Sequence, residues 1–304
     1  MKILITGGTG FIGQELLKSL ITHQVVILTR NIERAKQTLS HISSINLSFV
    51  SSLNKLQQLN DFDAIINLAG EPIADKRWSK QQKEKICDSR WEITEKLVAL
   101  IHASTSPPSV FISGSAVGYY GDQQSHPFDE SLHVSQENFP HKVCEKWESI
   151  AKRARSEQTR VCVLRTGVVL HPSGGALSKM LPVYKLGLGG AVGSGQQYMP
   201  WIHMIDMVRA INHLLDTHHA DGEFNLTAPH PVTNQDFSKA LAKTLKRPHI
   251  LFTPDWLIKL MLGECAMLLL DSVRCKPKKL TDLGFRFTYS RIDPALKNLL
   301  HHQG

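Results

Sequence analysis

The stretch KILITGGTGFIGQELL, residues 2–17, decides the fold of this 304-residue chain. Lys2–Thr6 is a short apolar run of strand type, and the residues after Gly10 take up a helical period. Between them lies Gly7-x-x-Gly10-x-x-Gly13. Placed between a strand and a helix, such glycines permit a tight turn, let the backbone approach a pyrophosphate and seat the helix close to the strand, while the helix N-terminus faces negative charge. The opening of the chain therefore predicts a dinucleotide site.

Further apolar runs recur at VVILT (25–29), near 46–50, at AIINLA (64–69), VFIS (110–113) and VCVLR (161–165), with longer stretches of helical period between them. Strands alternating with helices imply a parallel sheet covered on both faces. The expected fold class is α/β, a Rossmann-type doubly wound parallel sheet with a smaller C-terminal lobe. The division falls near residue 170: 1–170 as the nucleotide-binding domain, with later segments returning to it, and 171–304 as a substrate lobe and helical domain. Beyond 170 the pattern breaks into the glycine-rich loops PSGGALSK and KLGLGGAVGSGQQ, followed by helices expected near 206–217, 234–245 and 255–270. The closing HHQG is expected to be a disordered end.

Composition narrows the function classes. Charged residues make up 20% and the apolar set 42%, ordinary values for a compact globular chain. The opening MKILITGG does not read as a secretory leader, so none is expected, and WLIKLMLGECAMLLL (256–270) carries Lys259 and Glu264 and falls short of the ~20 apolar residues that span a bilayer. The five cysteines form no C-x-x-C pair, which argues against a zinc ribbon or a disulfide framework and for a reducing cytoplasm. The formal charge of +8 is densest in KRAR (152–155) and RCKPKK (274–279), runs too short and too poor in aromatics for a nucleic-acid groove; solvated faces are the simpler reading.

The second strand ends in Thr29-Arg30-Asn31, where an NAD site would offer a carboxylate to the ribose hydroxyls. Arginine there suits a 2′-phosphate, which its planar fork can hold bidentately. NADP is favoured over NAD.

At NLAGEPIADKRWSKQQKEKICDSR (67–90) a resemblance becomes specific. With SGSAVGYYG (113–121), RTGVVL (165–170), GGAL, LGLGG, GSGQQYMPWIH and FNLTAP, the chain resembles the YfcH-like branch of the NAD(P)-dependent epimerase/dehydratase family, extended short-chain dehydrogenases, over essentially its whole length. The resemblance implies a Rossmann fold and NADP binding. It puts Gly7, Thr9, Gly10, Phe11 and Ile12 on the pyrophosphate, Arg30 and Asn31 on the adenosine phosphate, and Leu68, Ala69, Gly70 and Glu71 beside the path from adenine to the nicotinamide ribose. Gly167 and Val168 would lie near the nicotinamide, and Glu71 and Arg77 would contact cofactor or substrate. A homodimer follows by analogy only.

The superfamily's catalytic set is a serine, a tyrosine that transfers a proton and a lysine that lowers its pKa. Ser115 matches the serine. The helix expected over ENFPHKVCEKWESIAKRAR (137–155) contains no tyrosine: the resemblance puts Pro140 and Cys144 at the tyrosine and lysine positions. Tyr119 and Tyr120 follow Ser115 closely, and Ser115 with Tyr119 is the expected source of any proton chemistry. Trp78, Arg90, Trp201 and His203 are candidates for the far wall of the pocket, and Cys144 reads more simply as a buried hydrophobe than as a nucleophile. Two functions remain open: an NADP-dependent epimerase or oxidoreductase acting on a small, sugar-nucleotide-like molecule, or an NADPH-sensing or scaffolding protein with little turnover, for which the resemblance to plastid relatives implies a link to division.

Overall fold

In a computed structural model, residues 1–42 and 46–301 are described; the expectation for the last three residues of HHQG lies outside them. Seven parallel strands form the central sheet. In chain order they are β1 (Lys2–Thr6), β2 (Gln24–Leu28), β3 (Asn46–Val50), β4 (Ala64–Asn67), β5 (Val110–Ala116), β6 (Arg160–Thr166) and a last strand, Gly222–Leu226, which joins the sheet beside β6. The spatial order is Gly222–Leu226, β6, β5, β4, β1, β2, β3, so the direction of winding reverses between β1 and β4. Open α/β sheets place ligands in the crevice outside the strand ends at such a reversal.

The strands are apolar on both faces because helices cover both. On one side Ile3, Ile5, Ile66, Ile112 and Leu164 pack with Leu16 and Leu17 of helix α1 (Phe11–Leu17) and with Met207, Ile211 and Leu214 of the helix Met204–Asp216. On the other, Leu4, Ile65, Phe111 and Val163 pack with Leu97, Val98 and Ile101 of the long helix Lys80–His102 and with Ile150 and Ala151 of the helix Phe139–Lys152. Numbered in chain order after helix α2 (Ile32–Thr38), these last two are α3 and α4. A separate cluster around Trp201, Phe237 and Leu296 forms the core of the C-terminal lobe.

Two local features differ from the sequence reading. The segment expected as one helix over 255–270 is interrupted: Asp255–Leu262 is helical, Gly263 adopts φ +60°, and a short 3-10 turn and four further helical residues follow. Glycine alone enters that left-handed region without a Cβ penalty, and so it ends the helix. Helix α4 is shorter than its amphipathic pattern, because Asn138 caps it through the His141 amide and Pro140 sits in its first turn.

Candidate functional site

The turn between β1 and α1 is built from glycines, two of whose missing side chains are required by their neighbours. Gly7 has φ +72°, and a Cβ there would fall 2.7 Å from the carbonyl carbon of Leu68. A Cβ on Gly13 would overlap the Gly7 carbonyl oxygen and come within 2.7 Å of the Gly8 Cα, so α1 lies directly against the turn. Gly10 differs: it is exposed, and a Cβ there would meet only the Gly7 oxygen, at 3.1 Å. The turn is thus closed toward the sheet and open toward the crevice, the shape a dinucleotide pyrophosphate needs.

Around the cradle, Thr9 offers its carbonyl to the Gln14 side chain at 2.9 Å. Phe11 turns its ring away onto Gly174 and Gly175, leaving its main chain at the helix start. Ile12 packs against the main core. Arg30 is exposed beyond the end of β2, whereas the Asn31 Oδ1 is spent on the Arg34 amide at 2.9 Å, where it caps α2. Leu68 and Ala69 abut Gly7, and the Ala69 amide donates to Thr6 Oγ1 at 3.1 Å. Glu71 is anchored by its own amide on Ser89 Oγ at 2.9 Å. Gly167 lies so close to Pro200 and Thr227 that a Cβ would come within 2.8 Å of the Thr227 methyl, and Val168 pairs with Trp201. Arg77 is directed elsewhere: its guanidinium donates to the carbonyls of Leu260 and Met261, the former contact being very short, and ties the loop after β4 to the helix Asp255–Leu262.

At the far end of β5 the structure gathers a buried polar network. Ser115 Oγ donates to Glu148 Oε1 at 2.7 Å. Arg165, at the end of β6, grips the same carboxylate with two bonds, Nε to Oε1 at 2.9 Å and Nη2 to Oε2 at 2.8 Å. Its Nη1 donates to the Tyr120 hydroxyl at 2.9 Å, which donates in turn to Asn225 Oδ1 at 2.8 Å. Tyr119 lays its ring on the same guanidinium, 3.7 Å from Cζ. Burial by itself would depress the Arg165 pKa, but the Glu148 hydrogen bonds and charge outweigh it and hold it above its ordinary value. Both Arg165 and Glu148 are 1% exposed, so the pair is sealed from water.

Helix α4 contains no tyrosine. Pro140 packs against Gly118, whose Cβ would lie 3.0 Å from the Pro140 Cβ. Cys144 is buried behind Ser115, and burial together with the Glu148 charge pushes its thiol up to about 11, so it is protonated at neutral pH. That excludes a resting thiolate. Trp201 and His203, candidates for the pocket wall, are core residues. Trp201 is fully buried. His203 caps the helix Met204–Asp216: its Nδ1 accepts from the Ile205 amide at 3.0 Å, its Nε2 pairs with Asn298 Oδ1 at 3.2 Å, and its ring stacks on Tyr289 at 4.0 Å. Trp78 is also buried, with its indole nitrogen on the Ile73 carbonyl at 2.8 Å.

The His203 environment has a pH consequence. Burial, opposed by Asp206 and Asn298, lowers its pKa to about 4 from 6.5. A histidine held neutral in the folded state supports full stability above the unfolded value and loses it as pH falls from about 6.5 toward 4. The expected loss is about 3 kcal/mol across that window. Urea unfolding at a series of pH values should show this slope in wild type and a flatter one in His203→Asn, which keeps a capping side chain.

Residues 3–227 match the model of the NAD dependent epimerase/dehydratase family. The chain belongs to this family. Residues 253–299 match a second, a domain of unknown function (DUF1731). The epimerase-family chain is 36% identical over 304 residues to the "Epimerase family protein SDR39U1 homolog, chloroplastic" of Arabidopsis thaliana, covering 99% of this chain and 87% of that protein. Among solved structures, human epimerase family protein SDR39U1 (isoform 2), crystallised with NADPH, superposes with a TM-score of 0.88 at 30% identity, covering 99% of this chain and all of that one. A nucleoside-diphosphate sugar epimerase from Corynebacterium glutamicum gives 0.75 at 29% identity, over 99% of this chain and 58% of that one.

The network residues Glu148 and Arg165 have no role in the sequence reading of this epimerase-family chain, and Tyr120 enters it only as a neighbour of Ser115. One signal was available: Arg165 closes the otherwise apolar run VCVLR, and an arginine at the end of a buried strand needs an acidic partner. Nothing local names Glu148 as that partner.

Proposed function

We propose that the protein binds NADP(H) in the Gly7–Gly13 cradle, with Arg30 on the adenosine phosphate, and is an epimerase- or oxidoreductase-like protein of the YfcH-like branch acting on a small, sugar-nucleotide-like molecule. The observation that carries this reading is the cradle itself, closed to any side chain toward the sheet and open toward the crevice. The NADPH in the human relative's structure supports the choice of cofactor. Gly7, Thr9, Gly10, Phe11 and Ile12 supply main chain to the pyrophosphate, and Leu68, Ala69, Gly70, Glu71, Gly167 and Val168 flank the remainder. NADP(H) supplies a hydride; Ser115 and Tyr119 are the groups left to serve a proton at the strand end. A cytoplasmic location and a homodimer accord with this reading, and among the described residues no helix is long and apolar enough to cross a membrane.

A second reading, NADPH sensing with little turnover, is favoured by one observation: the Ser115 hydroxyl is committed to Glu148 in a sealed network. Losing a tuned acid removes roughly 10²–10⁴-fold of rate. NADPH should bind at least about tenfold more tightly than NADH, about 1.4 kcal/mol, and Arg30→Ala should erase that preference. Fluorescence titration of both cofactors checks it; equal affinities in wild type refute the Arg30 assignment. Single-turnover oxidation of NADPH with carbonyl and sugar-nucleotide substrates then separates the two readings. Turnover that falls in Ser115→Ala and Tyr119→Phe and survives in Cys144→Ala supports the enzyme; tight binding without turnover supports the sensor.

A further inference from the structure

Arg90 projects from α3 to the loop that follows β4, beside the reversal of winding between β1 and β4. Its guanidinium lies face-on against Gly70: a Cβ there would fall 2.9 Å from Cζ, 3.1 Å from Nη2 and 3.2 Å from Nε. The central carbon being nearest means that the face, not the edge, is covered. The Trp147 ring lies 5.3 Å from the same Cζ, and that indole is itself pinned by its nitrogen on Thr94 Oγ1 at 2.9 Å. Thr94 Oγ1 also receives the Asn67 amide at 2.9 Å, so the support under the guanidinium is tied to the end of β4.

Among the described residues, one nitrogen of the guanidinium finds an acceptor. Nη1 donates to the Ile86 carbonyl at 3.0 Å and reaches Ser89 Oγ at 3.5 Å. Nε and Nη2 have no acceptor among the described residues, yet neither is one of the sealed polar atoms lacking a partner, which are Asn212 Oδ1 and Arg274 Nε. Neither is therefore fully sealed from solvent. No carboxylate forms an ion pair with Arg90 among the described residues; Glu71, the acidic group that influences it, is turned to Gln82 Nε2 at 3.4 Å. Burial drives the guanidinium pKa below its ordinary value, with Cys144, Cys87 and Glu71 acting in the opposite direction. A half-buried cation that keeps two adjacent donors free is a bidentate oxyanion site, because the Nε–Nη2 edge matches the spacing of carboxylate or phosphate oxygens.

We infer that Arg90 binds a carboxylate or phosphate group of the substrate through its Nε–Nη2 edge, so that the substrate is an anion anchored beside Gly70. The inference deepens the proposed function and rests on the crevice being the place where the cofactor lies. Gly70 is needed as glycine on this account: any side chain would displace the guanidinium.

The test titrates oxalate, inorganic phosphate and the uncharged isostere oxamide into NADPH-loaded protein and into cofactor-free protein by calorimetry, for wild type, Arg90→Lys and Arg90→Gln. Wild type should bind at least one of the two oxyanions saturably and oxamide not at all. Arg90→Gln should weaken the oxyanion at least about tenfold, and Arg90→Lys, a point charge that keeps the stem and the fold, at least about threefold. NADPH affinity should stay within about threefold of wild type in both. Oxyanion affinity retained in both variants, or absent from wild type, overturns the inference. So does a tenfold loss of NADPH affinity in Arg90→Lys with oxyanion binding unchanged, which would assign the arginine to the cofactor. Failure of wild type to bind NADPH would sink the proposed function instead, and the cofactor-free titration would still decide Arg90.

Discussion

Replacing Glu148 with leucine is expected to destabilise the protein by about 3–5 kcal/mol, because it leaves the Arg165 guanidinium buried without its carboxylate. Arg165 is 1% exposed and cannot reach water, and the carboxylate accepts two of its bonds as well as the Ser115 hydroxyl. Removing both charges is a different experiment. Glu148→Leu combined with Arg165→Met should recover most of the loss, since hydrophobic replacement of a buried pair is often neutral or stabilising. Urea unfolding of the two single variants and the double variant measures the coupling directly. Additive losses in the double variant would show that the pair is not the unit holding β5, β6 and α4 together.

Gly13→Ala is expected to reduce NADPH affinity by at least about 100-fold, or about 2.7 kcal/mol. The new methyl would overlap the Gly7 carbonyl oxygen and meet the Gly8 Cα at 2.7 Å, both of them backbone atoms that cannot rotate away. The helix and the turn must then separate, and the amides of the cradle lose their common aim at the pyrophosphate. Cofactor titration with circular dichroism distinguishes this local effect from unfolding. A Gly13→Ala protein that binds NADPH as wild type does would mean that the phosphates lie elsewhere.

The sequence by itself determined the strand–glycine–helix opening, the alternation that builds a parallel sheet and the cradle residues Gly7, Gly10 and Gly13. These features are local: an apolar run, a helical period and a glycine spacing each fix backbone conformation within a few residues. It also located Ser115 at the end of β5 and showed that α4 contains no tyrosine, because both are matters of residue identity at a position. The tertiary structure alone decided what those positions do. Ser115, Glu148 and Arg165 lie 33 and 17 residues apart along the chain, and they meet because β5, β6 and α4 are neighbours in the fold. In the same way His203 became a buried helix cap, Arg77 a tether to the helix Asp255–Leu262, and Arg90 a half-buried cation whose Nε–Nη2 edge finds no acceptor among the described residues. A polar side chain states what it can bond; which partner it finds once water is removed depends on the elements packed around it, and no local pattern encodes that.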